Sequence, residues 1–265
     1  HSLLAVRLLS AVGRHFGFSP NLDILLTGPT VRQMARKIDE RELEKRNEKT
    51  IDVEIGQKYP CTSAQERFWL LDKIYPDEPT YSVSLAIRWN GPLEQERLEI
   101  AVAALVKKHA ALRTIFTKER PPQQILCEPY RPKIKITELD NAIGEVDWDE
   151  EISKFSRNEA QEAFDLASGP LFRVGLLKLA DELSVLVFTI HHIVFDGMSI
   201  LPLVEDFCRH YRGASAEDTD MTCLIKEALR ESELRSERSY ERKREFWQHY
   251  LLNCPEHVTF PTDYP

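Results

Sequence analysis

Apolar residues recur along this chain at two spacings, one that suits helices and one that suits strands, and the balance shifts at about Tyr59. Leu3, Leu4, Val6, Leu8, Leu9 and Val12 keep helical spacing behind Ser2, a residue type suited to capping a helix, and Gly13 or Gly17 closes the run. Pro29 and Thr30 open a second predicted helix through Val31, Met34, Ala35 and Ile38. It runs into the charged stretch 39–49, and the segment to about residue 56 reads as a linker or as a solvated helix face.

From Tyr59 onward the elements interleave. Helical spacing over 63–74 gives way to period-two alternation over 81–89, and a further helix is predicted over 93–109. Short strands follow near 112–116, 123–127 and 134–136, then a helix near 150–164 and two extended runs, 171–179 and 183–191, which are expected to pair. A helix over 198–211 and one longer, highly charged helix over about 230–252 complete the pattern, without internal repeats. This order predicts an α/β fold, arranged as an α+β two-layer packing of helices on a sheet. The strand spacing is too irregular for a doubly wound parallel sheet.

Composition narrows the classes. With 265 residues, 42% hydrophobic and 29% charged, the chain is long enough and apolar enough to bury a core. A net charge of -8, without any lysine- or arginine-only stripe interleaved with aromatics, disfavours nucleic acid as a partner. The 5 cysteines are scattered and form no C-x-x-C pair, which reads as reduced thiols in a cytoplasmic setting. No apolar run reaches the roughly 18 to 20 residues needed to cross a bilayer, so no membrane is expected. The chain opens His1-Ser2-Leu3-Leu4 without methionine and closes Pro261-Thr262-Asp263-Tyr264-Pro265, and is expected to be a piece of a longer protein.

The stretch from Ile190 to Ser199 carries the most chemistry, because an apolar strand delivers His191 and His192 into a turn marked by Asp196-Gly197. Neighbouring strand residues point to opposite faces, so one imidazole faces a given cavity and the other is expected to be structural. An imidazole with an ordinary pKa of about 6.5 can take a proton from an attacking group or hold that group by a hydrogen bond, which suits acyl transfer to an amine or hydroxyl. Asp196 would be costly to bury alone, so an arginine partner is expected. Gly197 is expected to take a backbone conformation that other residues resist. On spacing alone the pair also reads as satisfied core histidines before a turn. A zinc site is not expected, because adjacent strand histidines do not readily chelate one ion and no further ligand cluster is evident.

With its neighbours this stretch resembles the HHxxxDG active-site motif of the condensation domains of nonribosomal peptide synthetases, here His191, His192, Asp196 and Gly197. Other segments similar to that family stand in order around it. Residues 62–71 resemble the opening S-x-A-Q-x-R-x-W-x-L helix, and residues 108–116 resemble R-H-E-x-L-R-T-x-F. Phe164-Asp165-Leu166 with Gly169-Pro170-Leu171 is similar to F-D-L-x-x-G-P-L, and Phe260-Pro261-Thr262-Asp263 to L-P-T-D. Thr62, Lys108, Ala110 and Phe260 depart from these patterns, and Phe195 and Met198 stand where serine and tryptophan are frequent. These departures bear on motif support and channel lining. His1-Ser2-Leu3 resembles the end of the carrier-domain motif G-G-H-S-L.

The resemblance implies three parts: the C-terminal part of a carrier domain over 1–40, a linker over 41–56, and the chloramphenicol-acetyltransferase-like N-terminal lobe of a condensation domain over 57–265. It implies amide-bond formation between carrier-tethered acyl and aminoacyl thioesters, with 4'-phosphopantetheine on Ser2 and His192 at the reacting centre. His191 would support the strand, Asp196 would shape the loop through an ion pair, and Arg67 and Arg113 would be structural. The implied partners are upstream and downstream carrier domains, an adjacent adenylation domain and the family's second lobe, without which the chain is expected to be inactive. Three alternatives share the motif: an epimerisation domain, a non-catalytic recruiting module and a free-standing alcohol acyltransferase. The segment 64–69, the intact His191, His192 and Asp196, and the carrier-like start weigh against them in turn.

Overall fold

A computed structural model describes residues 8, 9, 11–13, 15, 30–47, 51–76, 78–139, 147–214 and 222–255. Ser2 and the 260–263 segment lie outside them. The chain divides into two compact units, His1–Asp52 and Val53–Pro265. In the first, Leu8, Leu9, Val12 and His15 are helical and Leu9 is buried. Helix α1 (Val31–Asn47) buries Ile38 and continues through the start of the charged run.

The second unit begins with β1 (Lys58–Pro60) and α2 (Ser63–Ile74). A capping box starts α2: the Thr62 hydroxyl accepts the Gln65 N–H at 3.2 Å, and Gln65 Oε1 accepts the Thr62 N–H at 2.9 Å. Buried Gln65 donates onward to Gln124, and the Trp69 indole N–H donates to the Thr117 carbonyl at 2.8 Å. These bonds tie α2 to a small antiparallel sheet ordered β1-β4-β3, with β3 at Thr114–Phe116 and β4 at Gln123–Leu126.

The larger sheet is ordered β2-β7-β6-β5, from β2 (Ser82–Asn90), β5 (Ile134–Glu138), β6 (Phe172–Ala180) and β7 (Leu183–His191). The pair β5–β6 is parallel and the others are antiparallel. Helices cover both faces of this sheet. On one, Ile152 and Phe155 of α4 (Trp148–Gln161) meet Leu177, Leu179, Val185 and Val187. On the other, Leu186, Phe188 and Ile190 join Leu98, Val102 and Leu105 of α3 (Gln95–Lys108) and Leu203 and Phe207 of α5 (Ile200–Tyr211). Each such fully buried Leu or Phe stabilises the fold by about 1.5–3 kcal/mol. The double cover explains why β7 is buried on both faces from Ser184 to His191, with an unbroken apolar stretch over 185–188, where an exposed strand would alternate. The mixed α/β class is the one expected from the pattern; the strands form two sheets, and helices cover both faces of the larger one.

Asp206 joins α5 to α3. Lys108 Nζ lies 2.7 Å and His109 Nε2 2.9 Å from its carboxylate. Burial pushes this carboxyl's pKa up, but the hydrogen bonds from His109 and Lys108 outweigh it and hold the group at about 2.

One expected element is corrected. The single charged helix over 230–252 is two helices, α6 (Cys223–Ser236) and α7 (Arg238–Tyr250), separated by Glu237 in an extended conformation. The first begins early because Ile225 is buried with Tyr59, Ala110 and Leu126. Arg235 near its end donates to Glu66 of α2 at 3.0 Å. Among the described residues, no helix is long and apolar enough to cross a membrane.

Candidate active site

Because β7 pairs on both sides, its end is pinned from both sides. The His191 N–H donates to the Leu171 carbonyl at 3.1 Å, and the His192 N–H donates to the Tyr81 carbonyl at 2.8 Å. Tyr81 closes a short 3-10 turn, Pro79–Tyr81, that feeds β2. The two imidazoles then part. His191 is 6% exposed, its Nδ1 accepts the Ile193 N–H at 3.0 Å, and its ring meets Phe164 edge-on at 6.0 Å. With Nδ1 used as an acceptor, the neutral ring carries its proton on Nε2. Burial, then the neighbouring His192, lowers the His191 pKa to about 4, so this ring is neutral at pH 7.

His192 is exposed. Its ring lies nearly flat on Phe68 of α2, with centroids 4.9 Å apart and planes 21° from parallel. Phe68 in turn takes the Tyr81 ring edge-on at 5.2 Å. A cavity of about 160 Å³, lined by Asp72, Tyr75, Glu78, Thr80, Tyr81 and His191, opens beside this cluster.

Past the histidines, Ile193, Val194 and Phe195 are buried and plug the loop into the core. Phe195 is therefore a core residue and does not line a channel, whereas Met198 is 59% exposed. Two expectations for the turn are corrected. Asp196 is exposed, and among the described residues its partner is Ser199, whose N–H and hydroxyl donate to Oδ1 at 2.9 and 2.6 Å. The carboxylate caps the 3-10 turn Gly197–Ser199 that leads into α5 and, being solvated, needs no arginine. Gly197 does not adopt a positive φ, and a Cβ there would meet nothing within 4 Å.

The other motif-like segments buttress the strand end. Phe164, against His191, lies under the Arg173 guanidinium at 3.9 Å. Asp165 accepts the Ser168 hydroxyl at 2.7 Å and the Ala167 N–H at 2.8 Å, and these bonds hold its carboxyl below the usual carboxylate range. Gly169 does need to be glycine: its φ is +58° and a Cβ would stand 2.9 Å from Ile115 Cγ2. Arg113 donates to the Cys127 carbonyl at 2.6 Å, a structural contact, and Arg67 lies on the exposed side of α2. Among the described residues, no group of three or more His, Cys, Asp or Glu is placed to hold a metal ion.

Motif reading missed Phe68, whose ring stacks on the exposed imidazole, and Tyr81, whose carbonyl takes the His192 N–H and whose ring meets Phe68. Phe68 falls at a free position of the opening helix pattern. Its helical phase was the available signal, since it sits three residues after buried Gln65 and next to buried Trp69.

Fold and site together define a two-sheet α/β lobe with an open imidazole at the end of its central strand. The chain belongs to the condensation-domain family: residues 55–265 match the family model described as the condensation domain, and residues 1–38 match the one described as the phosphopantetheine attachment site. It is similar to a dimodular nonribosomal peptide synthase of Bacillus subtilis (strain 168), at 31% identity over 282 residues, covering 100% of this chain and 11% of that protein. Tyrocidine synthase 2 of Brevibacillus parabrevis is 29% identical over 268 residues, covering 100% and 7%. Among solved structures, the first condensation domain of the calcium-dependent antibiotic synthetase, in complex with substrate analogue 3a, has a TM-score of 0.67 at 21% identity, covering 78% of this chain and 52% of that one. The starter condensation domain of rhizomide synthetase RzmA has a TM-score of 0.63 at 21% identity, covering 76% and 49%. The chain thus spans a small part of the curated relatives and about half of these solved domains.

The match over residues 1–38 makes 4'-phosphopantetheine the cofactor of this region. Its attachment needs a hydroxyl for a phosphodiester, and Ser2, the serine expected to supply it, lies outside the described residues.

Proposed function

We propose that this chain is the end of a carrier domain (1–40), a linker (41–56) and the N-terminal lobe of a condensation domain (57–265) from a cytoplasmic nonribosomal peptide synthetase, and that His192 is its reacting imidazole. Ser2 holds the phosphopantetheine arm, which when bound supplies the thiol on which an acyl group travels. The reaction class is attack of an aminoacyl amine on an acyl thioester carbonyl. The C–N bond forms, the C–S bond breaks, and the amine's proton ends on the released thiol. His192 accepts a hydrogen bond from the attacking amine and takes its proton as the C–N bond forms. His191 holds the strand end, and Asp196 with Ser199 sets the turn into α5.

The observation that carries this reading is the separation of the two rings. His191 is buried and neutral, while His192, its neighbour, is open to an incoming group and held on Phe68. Upstream and downstream carriers, an adjacent adenylation domain and the family's second lobe are the partners this reading requires, and the chain is inactive without that lobe. The test loads an acyl group on the upstream carrier and an amino acid on the downstream carrier of the full module. Intact mass of the downstream carrier should then gain the acyl group. A loaded module that transfers nothing overturns the reading.

A further inference from the structure

The backbone bond from His192 to Tyr81 fixes where the side chain starts, but it leaves an imidazole on an exposed turn free to swing. A second contact removes that freedom. The ring lies 4.9 Å from the Phe68 ring at 21°, so rotation of the imidazole about its own axis drives an edge into the phenyl face.

Phe68 is itself held. The Tyr81 ring meets it edge-on at 5.2 Å and 71°, and it packs against the main core. Its helix is anchored at the start by the Thr62–Gln65 box and, one residue further on, by the Trp69 indole bonded to Thr117. One aromatic pair therefore governs both parts of His192: Tyr81 takes its backbone N–H, and Phe68 takes its ring.

We infer that Phe68 is a positioning residue for amide formation, setting the plane of the His192 imidazole so that its nitrogen points along the line of the incoming amine. The inference rests on the reading of His192 as the reacting group. It assigns a role to a position that the opening helix pattern leaves free. A group that aligns a proton acceptor acts on the rate of the chemical step and leaves carrier binding alone, so the signature is a change in kcat without a change in KM. Leucine fills the space but offers no flat face, whereas tyrosine keeps the face.

The test measures kcat, KM and the melting midpoint of the full module with loaded carriers, for Phe68→Leu, Phe68→Tyr and His192→Ala. Phe68→Leu is expected to lower kcat about tenfold with KM and melting unchanged, and Phe68→Tyr to stay within about twofold of wild type. Should Phe68→Leu fail to fold, Phe68→Met, which fills the space with a flexible chain, is read in its place with the same expectation. Wild-type kcat in the aliphatic variant, a loss confined to KM, or equal losses in Phe68→Tyr and Phe68→Leu each overturn the inference when His192→Ala is impaired. Wild-type turnover in His192→Ala strikes instead at the reading of His192 on which the inference stands.

Discussion

His191 and His192 are adjacent in the chain and occupy opposite environments. His191 closes the central strand inside the core, accepts a backbone N–H, presses against Phe164 and stays neutral because burial lowers its pKa to about 4. His192 stands in solvent with one face on Phe68. The same division continues into the turn, where Ile193, Val194 and Phe195 are buried while Asp196, Gly197 and Met198 are exposed. The contrast teaches that a short motif can hold two kinds of residue at once: those that lock a strand end to the core, and those the locked end presents outward. The division falls where the strand ends: β7 closes at buried His191, and the turn that follows exposes His192, buries residues 193–195 and then leaves the core at Asp196.

The comparison breaks most visibly at its buried member. His191→Ala removes the acceptor of the Ile193 N–H and opens a hole against Phe164, at an expected cost of about 3 kcal/mol in chemical denaturation. A loss within experimental error would mean that the buried ring does not lock the strand. The same ring sharpens the comparison through pH. Its folded pKa, about 4, lies below the ordinary 6.5, so the unfolded chain takes up a proton in a window where the folded chain does not. Its contribution is complete above pH 6.5 and declines as pH falls towards 4, by at most about 1.4 kcal/mol per pH unit. Stability curves of wild type and His191→Ala should therefore converge across that window, and parallel curves would contradict the assignment. The smallest effect is expected in the exposed turn. Gly197→Ala should leave the free energy of unfolding unchanged to within about 0.5 kcal/mol, because the added methyl meets nothing within 4 Å. A large destabilisation there would mean that the turn is more tightly enclosed than its geometry implies.

How much could be read in advance depended on how local the cause was. The helix predicted over 63–74 is the helix observed, because its start is set by Thr62 and Gln65, three positions apart. The pairing of β6 with β7 was legible because only Asp181 and Glu182 separate the two runs. The break at Glu237 was not, since neither glycine nor proline marks it, and the early start of α6 depends on Ile225 burying against Tyr59 and Leu126 far away in the chain. The arginine expected for Asp196 followed from assuming burial, and exposure of the carboxylate removed the need. The stack of Phe68 on His192 joins a helix near the start of the unit to the end of a late strand, a contact that only the folded topology creates.

The most direct test of the account is the single-turnover rate of amide formation in the folded full module carrying His192→Ala. The account predicts a fall of about 10²- to 10⁴-fold with melting unchanged, because the lost side chain is exposed and, in the proposed role, takes the proton of the reacting amine. Transfer at the wild-type rate by a folded His192→Ala module would contradict it.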